Sequence, residues 1–513
     1  MKNIRQRKDE KDSQIKKRHL RTEKRRKRQN LSSPEEEQKR KTGAAKKKGN
    51  RQIVAVAYCV VAVFLCMIGY LVRFMVCDSQ EIINNPRNKR QALLAEKVVR
   101  GEIRSADGKT LARTVTDSKG EESREYPYGR VFCHVVGRTE NSMTGIEQAQ
   151  SFPLLTSHSN PFLQLANEFQ GRKNQGDHVV TTLDSGLQQA AYDGLGSFKG
   201  AVVAIEPSTG KILAMVSKPD YDPNTVLADW DSLVEDSDEN SALLNRATQG
   251  LYPPGSTFKV LTALEYMQEN PKYKKYSYQC SGSEIFQGSK ISCYGGERHG
   301  EVGLEMSLAH SCNGSFANIG MGLDLNSFRR LCEKFRFNKS LSVNFEYNKS
   351  RFSLTEKSDS GEITQTAIGQ GKTMITPLQN ALISAAIAND GEMMTPYLVD
   401  HVENEQGHAI KTYSPAREAA VTSKKEANQL TRMMKSVVSD GTASSLRYLS
   451  YEVAGKTGTA EFDSEGTSHA WFVGFAPADH PKIAVSVIVE GAGTGSQYAV
   501  PIAKKMLEEY LGS

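Results

Sequence analysis

The alternation of apolar and polar positions divides the chain before any single residue is weighed. From Ile53 to Val72 the sequence IVAVAYCVVAVFLCMIGYLV carries no charge, and a helix of about 20 apolar residues crosses a hydrocarbon layer of roughly 30 Å. One transmembrane helix is expected. A cleaved signal fits less well, because the basic region ahead is long and no small-x-small site follows. Arg73-Phe74-Met75-Val76 before Cys77 also lacks the small residues of a lipoprotein signal. Beyond the span the elements shorten. Arg100-Gly101-Glu102-Ile103, Asp107-Gly108-Lys109 and Leu111-Ala112 read as extended pieces around a tight Asp-Gly hairpin. Ser185 to Leu195 is helix-like. Gly200 to Ile205 and Ile212 to Val216 flank the turn Pro207-Ser208-Thr209-Gly210 as a β-hairpin. Trp471 to Phe475 and Ile483 to Val489 form a second, and Ala499 to Leu511 has the spacing of an amphipathic helix. First and last segments are expected to share one antiparallel sheet, with a mostly helical middle beside it.

At 513 residues the chain exceeds a single core. The pattern gives a basic tail (1–52), an anchor (53–76), a small mixed pedestal (77–177) and a compact α/β domain (178–513). About 100 residues of pedestal leave no room for a second catalytic domain. Charge sharpens this division. Residues 1–51 hold 21 Lys or Arg against 7 Asp or Glu, a balance of +14, while the whole chain is +7, so the remainder is 7 − 14 = −7. The body is therefore acidic, which excludes nucleic acid as its partner. The tail has no aromatic residues interleaved with its charges, which argues against RNA. By the positive-inside rule the tail is cytoplasmic and the body lies outside the membrane. Lys24 to Arg28 and Lys46 to Lys48 suit anionic lipid head groups, at about 1 kcal/mol per basic residue; a solvated, disordered tail is the plainer alternative.

Three short motifs carry the chemistry: Ser256-Thr257-Phe258-Lys259, Ser311-Cys312-Asn313 and Lys456-Thr457-Gly458-Thr459. Each is common by chance. Ser13 to Lys16 and Ser208 to Lys211 repeat the first pattern, Ser342 to Asn344 the second and Lys41-Thr42-Gly43 the third. Context distinguishes Ser256. Tyr252-Pro253-Pro254-Gly255 breaks the chain, and Val260, Leu261, Leu264 and Met267 then have helical spacing. A serine starting that helix has Lys259 one turn away on the same face. A lysine becomes a base near neutral pH only when burial or a second cation depresses its pKa, and Lys456 is a candidate for that cation. The helix N-terminus supplies N–H groups for an oxyanion. Ser311 and Asn313 follow Gly303 to His310 at a helix end, placed to relay a proton and hold a substrate amide. A strand at Tyr451 to Gly455 leads into Lys456 to Thr459, where Gly458 would admit a substrate backbone while Lys456, Thr457 and Thr459 bind a carboxylate.

These residues resemble the penicillin-binding proteins, and specifically the monofunctional class B transpeptidases, for which this motif order is a known signature. The resemblance extends to Asn245-Arg246-Ala247, Gly314-Ser315-Phe316-Ala317, Gly369-Gln370-Gly371, Thr376-Pro377-Leu378-Gln379, Ala388-Asn389-Asp390-Gly391 and Ala470-Trp471-Phe472-Val473-Gly474. Arg100-Gly101 to Ala112 and Gly145-Ile146-Glu147 resemble the family's pedestal. The implied fold is α/β: a β-lactamase-like serine transpeptidase domain with an antiparallel sheet flanked by helices, a membrane-proximal, dimerisation-like pedestal and one N-terminal transmembrane helix. The implied reaction is D,D-transpeptidation of peptidoglycan stem peptides on nascent glycan at the bacterial plasma membrane, through a Ser256 acyl-enzyme with release of D-alanine. Lys259 is the implied base, with Ser311 as relay beside Asn313. Lys456, Thr457, Gly458 and Thr459 are the implied substrate-binding residues, and the N–H groups of Ser256 and Thr459 the oxyanion hole. β-Lactams are the implied covalent inhibitors and a polytopic glycan polymerase the implied partner. No cofactor and no catalytic metal are expected. A D,D-carboxypeptidase or β-lactamase-type hydrolase, and a β-lactam-binding scaffold, are the competing readings.

The cysteines leave several readings open. Cys280 and Cys293 lie in a Gly- and Ser-containing loop, suited to a disulfide in an oxidising exterior or to free thiols. Some members of the family carry a metal in this region, which adds a metal with His299 as a third. Cys312 reads as a small, semi-buried residue between Ser311 and Asn313.

Overall fold

The computed structural model describes residues 2–29, 34–74, 93–236, 240–461 and 467–512. The last anchor residues at 75 and 76, Cys77 and the first part of the pedestal through 92 lie outside the described residues. Two compact units result, Met1–Ile83 and Asn84–Ser513. In the first, the basic tail is helical at Lys2–Gln29, and a second helix, Pro34–Arg73, runs into the apolar segment. Ile53–Arg73 is long and apolar enough to cross a membrane, with mean hydropathy 2.5 and none of its apolar window buried against protein. By length and composition this helix is a candidate single span of a hydrocarbon layer.

The second unit contains two large sheets. The Asp107-Gly108 hairpin forms as its turn chemistry dictates: Ile103 pairs with Ala112 and Arg104 with Thr110. Its sheet runs in the order Ala409–Thr412, Val399–Glu403, His178–Thr181, Ile103–Arg104, Thr110–Thr116, Glu122–Glu125. Strands from both sides of position 177 therefore share one hydrogen-bonded ladder, including two from far along the chain. Beside that ladder Glu147 is fully buried, 2.6 Å from Arg100 and 2.7 Å from Arg124. Burial alone would push the Glu147 carboxyl up, but the two guanidiniums outweigh it and hold it below the usual carboxylate range.

The other sheet carries the chemistry. Its strands are β1 (Gly200–Ile205), β2 (Ile212–Lys218), β3 (Ala454–Glu461), β4 (Ser468–Ala476) and β5 (Ile483–Val489), in the order β3-β4-β5-β1-β2. Every pairing is antiparallel. All residues of β1, β2, β4 and β5 are buried, which explains their unbroken apolar runs. Helices α1 (Ser185–Leu195) and α5 (Gly495–Leu511) pack on each other and on the sheet. The almost wholly buried helix Pro377–Ala388 also packs against β5 and β1. Two boundaries differ from expectation. The strand foreseen at Tyr451 begins only at Ala454 and contains the Lys456–Thr459 motif, because β4 pairs with it from Ala454↔Phe475 to Glu461↔Ser468. The last helix begins at Gly495 rather than Ala499, through a polar turn without apolar periodicity.

Candidate active site

The nucleophile turn is fixed from three sides. Gly255, at φ +55°, turns the chain after Pro254, and Gly255–Phe258 forms a 3-10 turn that continues into α2 (Lys259–Glu269). Ser256 therefore sits one tight turn before the α-helix rather than at its first residue. Thr257 Oγ1 donates to Pro254 O at 2.7 Å, and Trp471 Nε1 donates to Pro253 O at 3.0 Å, tying the turn to β4. Phe258 packs among Phe328, Phe337 and Phe352 at centroid distances of 5.8, 5.9 and 6.1 Å; such pairs each contribute about 0.5–1.5 kcal/mol beyond their burial. On the third side Gly255 N donates to Gly369 O at 2.8 Å. Upstream, Glu490 holds Arg246 at 2.8 Å and accepts from the Tyr252 hydroxyl at 2.6 Å, bracing the Asn245-Arg246-Ala247 block.

The second motif connects α3 (Leu304–Ala309) to α4 (Asn313–Met321). Ser311 adopts φ +57°, a left-handed conformation that is strained for a residue with a Cβ. That conformation directs both its carbonyl and its hydroxyl at Lys259. Lys259 Nζ donates to Ser311 O at 2.7 Å, Ser311 Oγ at 3.2 Å and Asn313 Oδ1 at 2.6 Å. Lys456 Nζ reaches the same Ser311 Oγ at 3.0 Å, and its own neighbour Thr457 O at 3.0 Å. One hydroxyl thus bridges two amines, both fully buried. Ser256, Ser311, Asn313 and Thr459 are half-buried above them. Among the described residues, none of these lysine hydrogen bonds goes to Ser256.

Burial is the first cause that lowers the Lys259 ammonium, to about 7, although the Cys312 and Cys293 thiols work the other way. Lys456 is pushed well below the ordinary lysine range, first by burial and then by the Lys259 charge. The two amines titrate as a pair, so near neutral pH one of them can be an amine rather than an ammonium. Desolvation is what lets Lys259 be a neutral amine near neutral pH, while the charge of Lys259 acts on Lys456.

β3 is an edge strand of its sheet. Thr459 O accepts from Gln370 Nε2 at 3.3 Å, and a Cβ on Gly255 would lie 2.9 Å from the same oxygen, so Thr459 O faces the nucleophile turn. In a strand the N–H and C=O of one residue point to the same side, which aims the Thr459 N–H there too. The Thr457 hydroxyl is hydrogen-bonded to that of Thr442. Gly458 also meets a packing demand: a Cβ there would meet Trp471 Cβ at 2.9 Å and Thr257 Cγ2 at 3.1 Å. It thus permits a close approach of the nucleophile turn to β3. Gln370 and Thr442 also join the site; the first was visible only as part of a resembling block, and the second had no sequence signal.

The copy at Ser208 does not build a second such site. Lys211, three residues after Ser208, pairs with Asp400 at 2.7 Å. The thiols of Cys280 and Cys293 stand 3.7 Å apart and are not bonded. Cys312 is fully buried beside them rather than semi-buried.

Residues 200–508 match the model of the penicillin-binding protein transpeptidase domain, and residues 100–179 that of the penicillin-binding protein A dimerisation domain. The peptidoglycan D,D-transpeptidase PbpA of Mycolicibacterium smegmatis is 34% identical over 480 residues, spanning 88% of this chain and 96% of that protein. A ceftriaxone acyl-enzyme complex of penicillin-binding protein A from M. tuberculosis superposes with a TM-score of 0.75 at 33% identity, covering 82% of this chain and all of the other. The D,D-transpeptidase domain of a peptidoglycan glycosyltransferase from Eggerthella lenta gives 0.74 at 30% identity, covering 80% and 98%. Two domain matches in this order, with a relative above 30% identity along nearly the whole chain, decide what the site's chemistry left between families: the chain is a penicillin-binding protein with a transpeptidase domain behind a dimerisation domain.

Proposed function

We propose that this peptidoglycan D,D-transpeptidase uses Ser256 to attack the carbonyl between the two terminal D-alanines of a stem peptide. The observation that carries the residue roles is the convergence of Lys259 and Lys456 on Ser311 Oγ, at 3.2 and 3.0 Å, beside the Ser256 turn. A neutral Lys259 has two N–H bonds and one lone pair. Ser311 O and Asn313 Oδ1, at 2.7 and 2.6 Å, take the two N–H bonds, which leaves the lone pair to receive a hydroxyl proton. Ser256 Oγ bonds to the carbonyl carbon as its proton passes to Lys259. The oxyanion accepts from the Ser256 and Thr459 N–H groups. Ser311 relays that proton, giving its own to the departing nitrogen as it takes one from Lys259, and D-alanine leaves. An amine of a second stem peptide then attacks the ester, its proton passing through Lys259 to the Ser256 oxygen as the serine leaves and the cross-link forms. Lys456, with Thr457 and Thr459, binds the substrate carboxylate. A β-lactam follows the same first step and stays as an ester on Ser256.

The surrounding arrangement belongs to the same proposal. The excess of Lys and Arg in residues 1–51 supports a cytoplasmic N-terminus, with the site facing the wall on the far side of the membrane. The basic runs contact anionic lipid. We take 77–177 as the pedestal and 178–513 as the transpeptidase domain. On the family resemblance the enzyme works beside a polytopic glycan polymerase. The experiment is to give the full-length protein a nascent glycan polymer carrying pentapeptide stems. Cross-linked stem dimers formed with D-alanine release are expected; D-alanine release without dimers would overturn transpeptidation in favour of a hydrolase.

A further inference from the structure

The pedestal helix Pro161–Phe169 turns its apolar side away from the protein. Local chemistry starts it cleanly: the Asn160 side chain accepts from Phe162 N at 2.9 Å, and Pro161 takes the first helical position. Phe162, Leu165, Ala166 and Phe169 then recur at i, i+3, i+4 and i+7, which puts them on one stripe. In a surface helix such a stripe ordinarily faces the core. Here the opposite side does. Gln164 Nε2 donates to Ser157 O at 3.2 Å and to Ser159 O at 2.9 Å, and Asn167 Nδ2 donates to Asn174 Oδ1 at 3.0 Å. Those two are the only half-buried residues of the helix, and none is buried. Phe162 is 84% exposed, Leu165 52% and Phe169 85%. Single exposed apolar residues are ordinary, but a whole stripe turned outward, with the polar side spent on the protein, marks a surface that something apolar covers.

Size and place identify the cover. The helix falls within the match to a dimerisation domain, so a second copy is the rival occupant. At about 200 Å² for an aromatic side chain, Phe162, Leu165 and Phe169 offer roughly 400 Å², half of the roughly 800 Å² that each partner buries in a standard protein interface. The stripe also presents no hydrogen-bonding group, whereas protein interfaces carry about one hydrogen bond per 100–200 Å². A lipid surface requires neither. The helix leads into Asn174–Gln175, which pairs with Val98–Val99, the first strand after the apolar segment among the described residues, and Lys173 Nζ donates to Ala95 O at 2.8 Å. The stripe therefore belongs to the part of this unit where the chain arrives from Ile53–Arg73, and Leu93 there is itself 61% exposed. Nearby charges balance, with Lys97, Arg172 and Lys173 against Glu96, Glu122 and Glu168. Insertion of apolar side chains, not attraction to anionic head groups, has to supply the binding.

We infer that Pro161–Phe169 lies along the outer surface of the bilayer, with Phe162, Leu165 and Phe169 inserted at the boundary between head groups and acyl chains. The inference rests on the reading of Ile53–Arg73 as a span. A short apolar face binds lipid weakly by itself, and the span raises its effective concentration at the surface enough for the contact to hold.

The test uses the full-length protein in phosphatidylcholine vesicles. A tryptophan introduced by Phe162→Trp or Phe169→Trp, measured against the Trp230 and Trp471 background of the wild type, is expected to lose at least about half its fluorescence to lipids brominated about 5–10 Å below the head groups. Phosphatidylglycerol or added salt should leave that quenching unchanged. Phe169→Trp combined with Phe162→Glu and Leu165→Glu is expected to escape the quencher while acylating with fluorescent penicillin in detergent at the wild-type rate, which shows that the unit remains folded. Probes that stay unquenched in vesicles overturn the inference. Quenching that requires anionic lipid and disappears in salt overturns apolar insertion. A concentration-dependent dimer in detergent that Phe162→Glu with Leu165→Glu abolishes also overturns it, because a second copy then covers the stripe. Retention of the protein in alkaline-washed vesicles reports the span and quenching reports the helix, so the two readings fail separately.

Discussion

Gly369→Ala is expected to slow acylation more than it destabilises the fold. Gly369 has φ +87°, and a Cβ there would lie 1.8 Å from Gly255 O and 3.0 Å from Phe258 Cβ. Gly371 supplies the control: its φ is +80°, yet the nearest atom to its Cβ would be Gln365 Cβ at 3.4 Å. Both alanines incur the left-handed backbone penalty, about 1–2 kcal/mol. Only Gly369→Ala must also separate two backbones by more than 1 Å to bring that 1.8 Å contact out to even 3.0 Å. Gly255 precedes Ser256 and donates to Gly369 O at 2.8 Å, so the displacement passes directly to the nucleophile. A misplacement of about 1 Å reduces rates by roughly 10²-fold. Stopped-flow labelling with a fluorescent penicillin, alongside melting curves, should show both variants melting a few degrees lower, in line with about 2–4 °C per kcal/mol in large domains. Only Gly369→Ala should acylate about 100-fold more slowly. Equal acylation by the two variants, or wild-type speed in Gly369→Ala, would refute the claim that this backbone contact positions Ser256.

The acylation rate should rise with pH around a midpoint near 7, because Lys259 is lowered to about 7 and its neutral form takes the Ser256 proton; Lys456, Cys293 and Cys312 are the titratable groups facing it. A stopped-flow pH profile that stays flat through that midpoint contradicts the assignment, and Lys259→Arg, which stays charged, should lose the rise along with most of the rate. Glu147→Ala should destabilise the second unit by about 3–5 kcal/mol, since Arg100 and Arg124 would be left buried without their counter-charge; an unchanged denaturation midpoint would count against the triad. Because the Glu147 carboxyl is held low, its stabilisation is present above the ordinary carboxylate pKa and lost as pH falls below it, and wild type should therefore lose stability more steeply in acid than Glu147→Gln.

Local chemistry made much of this molecule legible in the sequence. The charge-free Ile53 to Val72 run, the Asp107-Gly108 turn and the apolar runs of β1, β2 and β5 each carry their own signal, and they recur within a few residues in the structure. Ser256, Ser311 and Lys456 were found because family motifs mark them, while their arithmetic of decoys shows that spacing alone would not. What escaped depends on contacts between distant segments. Nothing near Val399 announces that it pairs with Thr181. Glu147 and Arg100 were noticed as separate blocks, and only the fold brings them to 2.6 Å. The packing of Trp471 and Thr257 around Gly458, which leaves no room for a Cβ, had no signal of its own. Cys312 looked like filler until Cys280, Cys293 and His299 folded back onto it.

The central claim, that Ser256 is the residue acylated, is tested most directly by mass spectrometry of the full-length protein after incubation with a β-lactam. One intact antibiotic mass per chain is expected, located by proteolysis to the peptide that contains Ser256 and absent from Ser256→Ala at any incubation time. An adduct that persists in Ser256→Ala, or that maps to Ser311 or any other residue in the wild type, would contradict the account.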